Sequence, residues 1–564
     1  MNFTKTVSRF LVVCLIATFF YSPSAHAMYY KDVSYSYWAY QDINFLSKHK
    51  VINGFKNGYF KPGLIITRKD AAVMMVRALE LDELGEQPIE MKDMKETSPG
   101  YKEVSMALSR GWFSTFEGEF NPDDLLTRNE MAKALAVAFD YSGDDTSAFA
   151  DVPMTDKYFD YIDAILFHGV TTGYNDGTFR PLEKVTRAQF SAFLSRVFQQ
   201  PISYDIKVNG EMVDNSTSIE DALYLSKQYE QSTIHPASTK YKEFSQQIAS
   251  SDKTGIKAGA LIYNGVGEVD SFTPEFFNPY LSYKNTAGLN QQMFDTFIIL
   301  GLRYEGGQFA ENALNKANYA EWQSQIDRTF SDIGALKNLN DAAKMQNRSA
   351  DVYIAIPYPK RTEPFIKLNG TEEANNLYSR FDISKWYINN VTKRMTQANF
   401  ENLNFKGFYW MNETVKVAED EALISSLSQA IHREGKFFVY APHATSTNFT
   451  KWRSYGFDAA FLQPNSFRKS VPNKEDRLHR AFINAQIYGS GITIEIDSYA
   501  PFQAEEGIEA FNLYMDYAKR YGLDKNSMIF YQGTNMVVRM ATYDHPVYQM
   551  WYSQLKSTFF PETE

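Results

Sequence analysis

The sequence of 564 residues predicts a multidomain protein, an all-α bundle of helical repeats followed by an α/β domain of the (β/α)8, or TIM-barrel, class. Two observations predict this fold class. One motif recurs three times between residues 28 and 200, and from residue 255 onward short apolar runs alternate with amphipathic stretches. The predicted segments are a signal peptide at 1–27, repeats at 28–84, 85–144 and 145–200, a linker or edge segment at 201–254, and the barrel at 255–564.

The first 27 residues are expected to form a secretory signal peptide. Lys5 and Arg9 precede the apolar core FLVVCLIATFF, and an A-x-A exit ends at Ala27. This core is shorter than the roughly 20 apolar residues that a membrane span needs. The single cysteine, Cys14, lies inside it and follows Val13, where a lipoprotein signal needs a small residue. We therefore expect a secreted chain of Gram-positive type, without disulfides or a membrane span in its mature part.

The composition indicates which classes of molecule the protein is expected to bind. A formal net charge of −10 argues against a general nucleic-acid binder. The 7 Trp, 37 Tyr and 43 Phe fit either large cores or stacking against sugars. The eight histidines form no H-E-x-x-H pair or other ligand spacing, so we expect no catalytic metal and no cofactor.

The repeats share one frame. In each copy a Phe lies two residues before a Pro, and Thr-Arg follows five residues after that Pro. These positions are Pro62 with Thr67-Arg68, Pro122 with Thr127-Arg128, and Pro181 with Thr186-Arg187, and the copies open on Asp32, Asp93 and Asp151. The pattern predicts two helices in each copy, joined by a Gly-rich turn, with the Thr hydroxyl capping the second helix.

The arginine after each cap is a candidate binding residue. A cation at a helix N-terminus opposes the helix dipole, so the recurrence of Arg68, Arg128 and Arg187 indicates a bound anion. A bidentate contact with a carboxylate would supply affinity. The alternative is that these arginines only connect one repeat to the next.

On these motifs residues 28–200 resemble the triplet of S-layer homology (SLH) domains. The resemblance implies a pseudo-threefold bundle at the cell wall or S-layer surface. Its grooves would bind pyruvylated secondary cell-wall polysaccharide, with Arg68, Arg128 and Arg187 holding the acidic ketal. The copies depart from the family motif I-T-R-A-E as TRKD, TRNE and TRAQ. The second copy also has FSTFEGEF in place of the N-x-D-G loop, which predicts a degenerate groove two and an intact groove three, with YNDGTFRP.

Residues 201–254 are polar and are expected to link the two parts or to form an edge subdomain. SIEDALYLSKQYEQS has a helical pattern, and HPASTKYKEFSQQIASSDKTG is expected to be connecting helix and coil.

Eight apolar runs predict the strands of the second domain. They are 257–265, 294–302, 351–359, 406–413, 436–444, 457–465, 491–498 and 527–533. Amphipathic stretches such as 320–346 and 420–435 suit crossover helices, so alternation over about 300 residues predicts a parallel, closed barrel. The alternative is a doubly wound open sheet. Such a sheet would more often carry a G-x-G-x-x-G turn, which NGVGEVDSF does not match.

A barrel collects functional groups at the carboxyl ends of its strands. The informative ones here are the carboxylates that end runs four and seven. Glu495 and Asp497 share a face with Thr493 in GITIEIDS, while the isoleucines between them fit the side packed by helices. Two carboxylates at one cleft can hydrolyse a glycosidic bond, one as the acid and the other as nucleophile or base.

The Asn-Glu pair ending run four and the Glu on run seven resemble the retaining clan A glycoside hydrolases. The resemblance implies Glu413 as acid/base, Asn412 as the residue that binds the sugar 2-hydroxyl, and Glu495 as nucleophile. Further candidates for binding substrate are Tyr409, Tyr440, His443, Gln463 and Asp497.

Residues from about 250 to 550 also resemble a domain of unknown function found behind SLH repeats, which implies no chemistry. The sequence therefore favours a glycosidase anchored to wall polysaccharide, with a glycan as substrate. One alternative is a non-catalytic wall protein whose barrel binds glycan or fills the surface array. The other is an amidase or deacetylase, which the missing metal and nucleophile motifs disfavour.

Overall fold

The computed structural model describes residues 30–562 except for short gaps. These gaps are 35–36, 80–88, 140, 142, 144–148, 169, 172, 175, 200–202, 217–218, 239–247, 268, 312–314, 416, 445, 447–448, 468–472 and 497–504. The predicted signal peptide and Asp497 lie outside the described residues. The chain divides into two compact units, Met1–Val197 and Phe198–Glu564. In the described part, no helix has the length and apolar character needed to cross a membrane.

The first unit contains the predicted helix pair in each repeat. The helices are α1 (Tyr40–Lys48), α2 (Arg68–Ala78), α3 (Tyr101–Ser109), α4 (Arg128–Ala138), α5 (Phe159–Phe167) and α6 (Arg187–Gln199). The capping prediction is confirmed at the second helix of the first and third pairs. The hydroxyl oxygens of Thr67 and Thr186 accept from the N–H groups of Asp70 (3.1 Å) and Gln189 (3.2 Å). In the second pair the hydroxyl of Thr127 instead donates to the side chain of Glu130 (2.7 Å).

The acidic residue that opens each repeat has a structural role. Its carboxylate accepts a hydrogen bond from the backbone N–H of the Phe that lies two residues before the Pro of the repeat frame. These bonds join Asp32 to Phe60 (2.7 Å), Asp93 to Phe120 (3.0 Å) and Asp151 to Phe179 (2.7 Å). Each carboxylate thus fixes the loop of its own repeat.

Equivalent hydrogen bonds join the three repeats in a ring. The N–H of Arg68 donates to the oxygen of Asp124 in the second repeat (2.9 Å), and that of Arg128 donates to Glu183 in the third (3.0 Å). The N–H of Arg187 returns to Leu64 in the first repeat (2.8 Å). The bundle therefore has the pseudo-threefold arrangement that the resemblance to SLH domains implies.

The second unit combines a small sheet, a barrel and the helices around them. Its elements to the third barrel strand are β1 (Ser203–Val208), β2 (Glu211–Ser216), α7 (Ile219–Ser226), β3 (Ser232–Ser238), β4 (Ala258–Tyr263), α8 (Pro274–Leu281), β5 (Ser282–Lys284), β6 (Asn290–Gln292), β7 (Thr296–Leu300), β8 (Arg303–Tyr304), β9 (Gly307–Gln308), α9 (Tyr319–Phe330), α10 (Ala335–Met345) and β10 (Ala350–Ile356). Those that follow are β11 (Phe365–Ile366), β12 (Glu372–Glu373), α11 (Leu377–Ala398), β13 (Leu403–Trp410), α12 (Ala418–Arg433), β14 (Phe437–Tyr440), β15 (Ala459–Leu462), α13 (Lys474–Tyr488), β16 (Gly491–Glu495), α14 (Glu505–Arg520), β17 (Met528–Tyr531), α15 (Met536–Thr542) and α16 (Pro546–Phe559).

The predicted closed barrel is confirmed. Eight parallel strands close in the order β10-β13-β14-β15-β16-β17-β4-β7, and every predicted apolar run supplies one of them in chain order. The predicted crossover stretch 320–346 lies in two helices, α9 and α10, since Gly334 forms the N-cap of the second.

The sequence predicted connecting helix and coil from His235 onward. This prediction is wrong for residues 235–238, which belong to strand β3. Strands β1, β2 and β3 form an antiparallel sheet in the order β2-β1-β3, and Asn209-Gly210 makes its first turn with φ values of 52° and 84°. Pro236 interrupts the apolar alternation of β3, which an edge strand tolerates. The sheet packs Ile206 and Ile234 in a cluster with residues of the barrel helix α13.

A buried ion pair joins the helices that follow barrel strands three and four. Arg380 in α11 donates to Asp420 in α12 (2.7 Å), and the side chains are 0% and 1% exposed. The hydroxyl of Tyr358, just after β10, also donates to Asp420 (3.0 Å). The pair therefore supports the part of the rim next to the end of β13.

We expect Asp420→Ala to lower the free energy of unfolding by about 3 to 5 kcal/mol, because it leaves the Arg380 cation buried without its closest carboxylate. Urea denaturation followed by tryptophan fluorescence would measure the loss. The control is Asp327→Ala at the exposed pair Arg394–Asp327 (2.8 Å), which should cost less than about 1 kcal/mol. Equal losses of unfolding free energy in Asp420→Ala and Asp327→Ala would contradict a structural role for the buried pair.

Candidate functional site

The barrel contains a cavity at the carboxyl ends of its strands. Its volume is about 70 Å³. The lining residues occupy alternate positions along their strands, as inward-facing residues of a barrel do. They are Leu261, Tyr263, Leu300, Leu302, Tyr409, Met411, Glu413, Ala441, Gln463, Thr493, Ile529 and Tyr531. The cavity is thus lined mainly by apolar and aromatic side chains, with Glu413, Gln463 and Thr493 as polar groups among them.

Glu413 is the carboxylate that lines this cavity. Its side chain is exposed, three residues beyond the end of β13. Its backbone oxygen accepts two hydrogen bonds, from the N–H of His443 (3.0 Å) and the hydroxyl of Tyr440 (3.0 Å). These bonds from the neighbouring strand fix the backbone of Glu413 at the cavity.

The amide of Asn412 points to a second carboxylate. Its Nδ2 donates to Oε2 of Glu311 (3.2 Å) and to the backbone oxygen of Thr414 (2.8 Å). Both neighbours only accept hydrogen bonds, so the amide nitrogen faces them and Oδ1 remains an acceptor for another group. Arg361 in turn donates to Glu311 (3.0 Å). Glu311 was missed in the sequence because it lies in a polar stretch after the second apolar run, with no motif around it.

Glu495 is buried, with 6% of its surface exposed, at the last residue of β16. Its carboxylate accepts from the backbone N–H of Asn465 (2.6 Å), from the Asn465 side chain (3.1 Å) and from the hydroxyl of Tyr514. Burial and the charge of Glu495 raise the pKa of Tyr514 well above its ordinary value. An ionised Glu495 satisfies all three donors, and Thr493 on the same strand face lines the cavity.

The other predicted substrate-binding residues divide into two groups. Tyr409 and Gln463 line the cavity. The ring of Tyr440 instead stacks on Phe457 with centroids 4.7 Å apart, and half-buried His443 pairs with Gln463 through a backbone bridge. Among the described residues, no group of three or more His, Cys, Asp or Glu side chains could hold a metal ion.

The three repeat arginines reach from one repeat into the next. Nε of Arg68 donates to the oxygen of Phe120 (2.9 Å), Nε of Arg128 to that of Phe179 (2.7 Å), and Nε of Arg187 to that of Phe60 (2.9 Å). The arginines therefore connect the repeats, which is the structural role that the sequence left open. Each arginine serves the loop of the following copy, so the FSTFEGEF loop faces Arg68 and the YNDGTFRP loop faces Arg128.

The three repeat arginines differ in whether a nearby carboxylate neutralises their charge. Arg68 forms an ion pair with Glu130. Within the described part of the chain, Arg128 and Arg187 have no carboxylate at salt-bridge distance, although only 4% and 8% of their surfaces are exposed. Burial lowers the pKa of both guanidinium groups.

We expect Tyr514→Phe to lower the free energy of unfolding by about 1.5 to 3 kcal/mol, because it removes a buried hydrogen bond to a charged group. Tyr440→Phe is the matched control. Its hydroxyl donates to the neutral oxygen of Glu413, which keeps the bond from His443, so the loss should stay near 0.5 to 1.5 kcal/mol. Denaturant titrations would show whether Tyr514→Phe loses more unfolding free energy than Tyr440→Phe. A larger loss for Tyr440→Phe would contradict an ionised Glu495.

Comparisons with known proteins match both units. Residues 258–557 match the model of the domain of unknown function DUF4855, and residues 29–72, 90–132 and 148–191 each match the S-layer homology domain. The chain is 31% identical over 168 residues to the Surface-layer 125 kDa protein of Lysinibacillus sphaericus, covering 29% of this chain and 14% of that protein. It is 27% identical over 237 residues to an endoglucanase of Bacillus sp. strain KSM-635, covering 39% and 25%. The chain thus spans at most a quarter of the length of these two relatives.

A solved structure, a GH5-4 broad specificity endoglucanase from an uncultured bacterium, aligns over 57% of this chain and 98% of its own. With 10% identity and a TM-score of 0.35, that alignment says nothing about activity. The three matched repeats indicate a cell-surface protein associated with the S-layer. The matched residues 258–557 are more than half of the 564, and the chain therefore belongs to the DUF4855 family.

Proposed function

We propose that the first unit holds this protein on the cell wall by binding an anionic polysaccharide, and that the barrel hydrolyses a glycan there. The observation that carries the first part is the buried Arg128, which lacks a carboxylate partner among the described residues. A buried charge is costly unless it is paired. A carboxylate on a wall sugar would pair with it, and a pyruvyl ketal supplies such a group.

The surroundings of Arg128 suit a sugar acid. The guanidinium lies 4.8 Å from the ring centre of Tyr174 and 4.5 Å from that of Phe179. Aromatic rings provide flat apolar faces on which a sugar ring can pack, while the guanidinium offers donors that match a carboxylate. Secondary cell-wall polysaccharide with pyruvyl groups is the proposed partner.

We expect Arg128→Ala to lose most binding to purified wall polysaccharide in a pull-down, and removal of the pyruvyl groups to have the same effect on the unchanged protein. Arg128→Lys keeps the charge but loses the planar fork, so it should bind weakly. Circular dichroism would establish that both variants fold. The control is Arg394→Ala, an exposed arginine in the second unit. Undiminished binding by folded Arg128→Ala would remove the argument for an anion.

The proposed reaction of the barrel uses two carboxylates at one rim. Glu413 would protonate the leaving glycosidic oxygen while Glu495 attacks the anomeric carbon, which forms a glycosyl ester and releases the first sugar. Glu413 would then remove a proton from water as the water oxygen displaces Glu495, which restores both groups. Oδ1 of Asn412 would accept a hydrogen bond from a sugar hydroxyl. The supporting observations are the place of Glu413 in the cavity and the hydrogen bonds that hold Glu495 as a carboxylate.

One observation favours the alternative, a barrel without catalytic activity. The cavity of about 70 Å³ is small, whereas small-molecule sites are usually about 300 to 1,000 Å³. A barrel that only binds glycan or fills the surface array needs no deep pocket. A measurement of glycan turnover would distinguish the glycosidase from the non-catalytic barrel.

If the barrel is a glycosidase, incubation with wall and capsule polysaccharides should release reducing ends. Glu413→Gln and Glu495→Gln should each lower that rate by about 100-fold or more, since each removes a group that takes part in bond cleavage. Both variants should still bind the wall, and Arg128→Ala should still cleave soluble glycan.

Absence of turnover on every glycan, or equal turnover by both Gln variants, would overturn the catalytic proposal and leave wall anchoring untouched. A crystal structure should also show the two carboxyl groups about 5 to 5.5 Å apart for a retaining mechanism.

A further inference from the structure

A buried lysine lies against an asparagine side chain at the rim of the barrel. Lys360 is the fourth residue after β10, and only 4% of its surface is exposed. Its Nζ donates to Oδ1 of Asn318 (2.7 Å), the residue that precedes α9, and to the backbone oxygen of Lys316 (3.4 Å). Within the described residues no carboxylate lies at salt-bridge distance from this amine. Its hydrogen-bond acceptors there are therefore neutral oxygens.

This environment favours the neutral form of the amine. Removal from water disfavours an ammonium charge. Burial accordingly lowers the pKa of Lys360, while the charges of Glu363 and Glu321 oppose that shift. The neutral amine is the nucleophilic form, and a lysine that is shielded from water becomes a stronger nucleophile at a given pH.

The amide of Asn318 is arranged as an electrophile. Its Oδ1 accepts a second hydrogen bond, from the backbone N–H of Ile366 in β11 (3.0 Å), and its Nδ2 donates to the backbone oxygen of Lys316 (3.2 Å). These bonds orient the amide with its oxygen between two donors. An N–H group fixed at a carbonyl oxygen stabilises the negative charge that develops there when a nucleophile adds to the carbon.

A carboxylate completes this group of side chains. Glu321 is the third residue of α9, and its Oε2 accepts from the backbone N–H of Asn318 (2.7 Å). Its charge also acts on Lys360. A carboxylate can take a proton from one nitrogen and deliver it to another. Lys360, Asn318 and Glu321 therefore supply a nucleophile, an electrophile and a proton carrier.

We propose that Lys360 and Asn318 become joined by an amide bond between their side chains, with Glu321 as the proton carrier. The neutral Nζ of Lys360 attacks Cγ of Asn318, and Oδ1 takes up the negative charge beside the N–H of Ile366. Glu321 transfers a proton from Nζ to Nδ2, the Cγ–Nδ2 bond breaks, and ammonia leaves. One amine and one primary amide thus give one secondary amide and ammonia, so the reaction needs no oxidant or other reactant.

The bond would connect the segments that follow the second and third barrel strands. Its two residues are 42 positions apart in the chain, and a cross-link over such a distance restricts the unfolded chain. With Cys14 as its single cysteine, the chain cannot form an internal disulfide instead. Arg361, the next residue after Lys360, donates to Glu311 of the candidate site (3.0 Å). The cross-link would therefore fix one side of that site, whether or not the barrel cleaves a glycan.

Mass spectrometry of the purified, folded full chain would test this inference. The unchanged protein should weigh one ammonia molecule less than its sequence requires. Trypsin should release residues 317–328 joined to residues 349–361, because an acylated Lys360 is no longer a cleavage site. Fragmentation of the joined peptides would distinguish this bond from loss of ammonia at another asparagine.

Two variants should have the full mass that their sequences require. Lys360→Arg removes the nucleophile, and it should unfold at a lower temperature than the unchanged protein because it lacks the cross-link. Glu321→Gln keeps an acceptor for the N–H of Asn318 but cannot carry a proton. The control is Lys337→Arg. Lys337 lies as close to Asp341 (2.7 Å) but is 43% exposed, so this variant should still lose ammonia at Asn318.

A full sequence mass in the folded, unchanged protein would overturn the inference. Joined peptides in Glu321→Gln would overturn the role of the glutamate as proton carrier. Because both results are read from the mass of the protein alone, they are independent of wall binding and of glycan turnover.

Discussion

Closure of the parallel barrel is the constraint on which the candidate catalytic site depends. Eight strands that run in one direction must end at one rim, so residues 82 positions apart in the chain, Glu413 and Glu495, are brought to the same end of the barrel. An open sheet would have spread these strand ends along a line. A buried ion pair stabilises this end of the barrel. Arg380 and Asp420 form it between the two helices that flank strand β13, which leads to Glu413.

The first unit is held together by hydrogen bonds between its three repeats. Its three repeats form a ring because each arginine donates to the carbonyl oxygen of the Phe in the next loop. At Arg128 the structural role and the proposed binding role are compatible, because Nε makes the structural bond and no described residue accepts from its terminal nitrogens.

The sequence predicted those features that depend on local pattern. Apolar runs with helices between them predicted all eight strands in order, and the Thr before the second helix predicted the cap in the first and third repeats. The features it missed depend on contacts between distant residues. Nothing near Tyr514 indicates that its hydroxyl meets Glu495, and the repeat frame does not tell which loop each arginine faces. The Asn209-Gly210 turn was a local signal for the first sheet, but the surrounding polar composition obscured the short strands.

The two candidate catalytic carboxylates differ in exposure and in the hydrogen bonds that their side chains accept. Glu495 is enclosed by donors from Asn465 and Tyr514, an environment that stabilises negative charge and suits a nucleophile. Glu413 is exposed and lines the cavity together with Leu302 and Met411, and its backbone oxygen accepts hydrogen bonds from Tyr440 and His443. In glycosidases such a difference in environment is what assigns one carboxylate to proton transfer and the other to attack. The environment of Glu495 thus supports its proposed role as nucleophile, in addition to its position on the seventh strand.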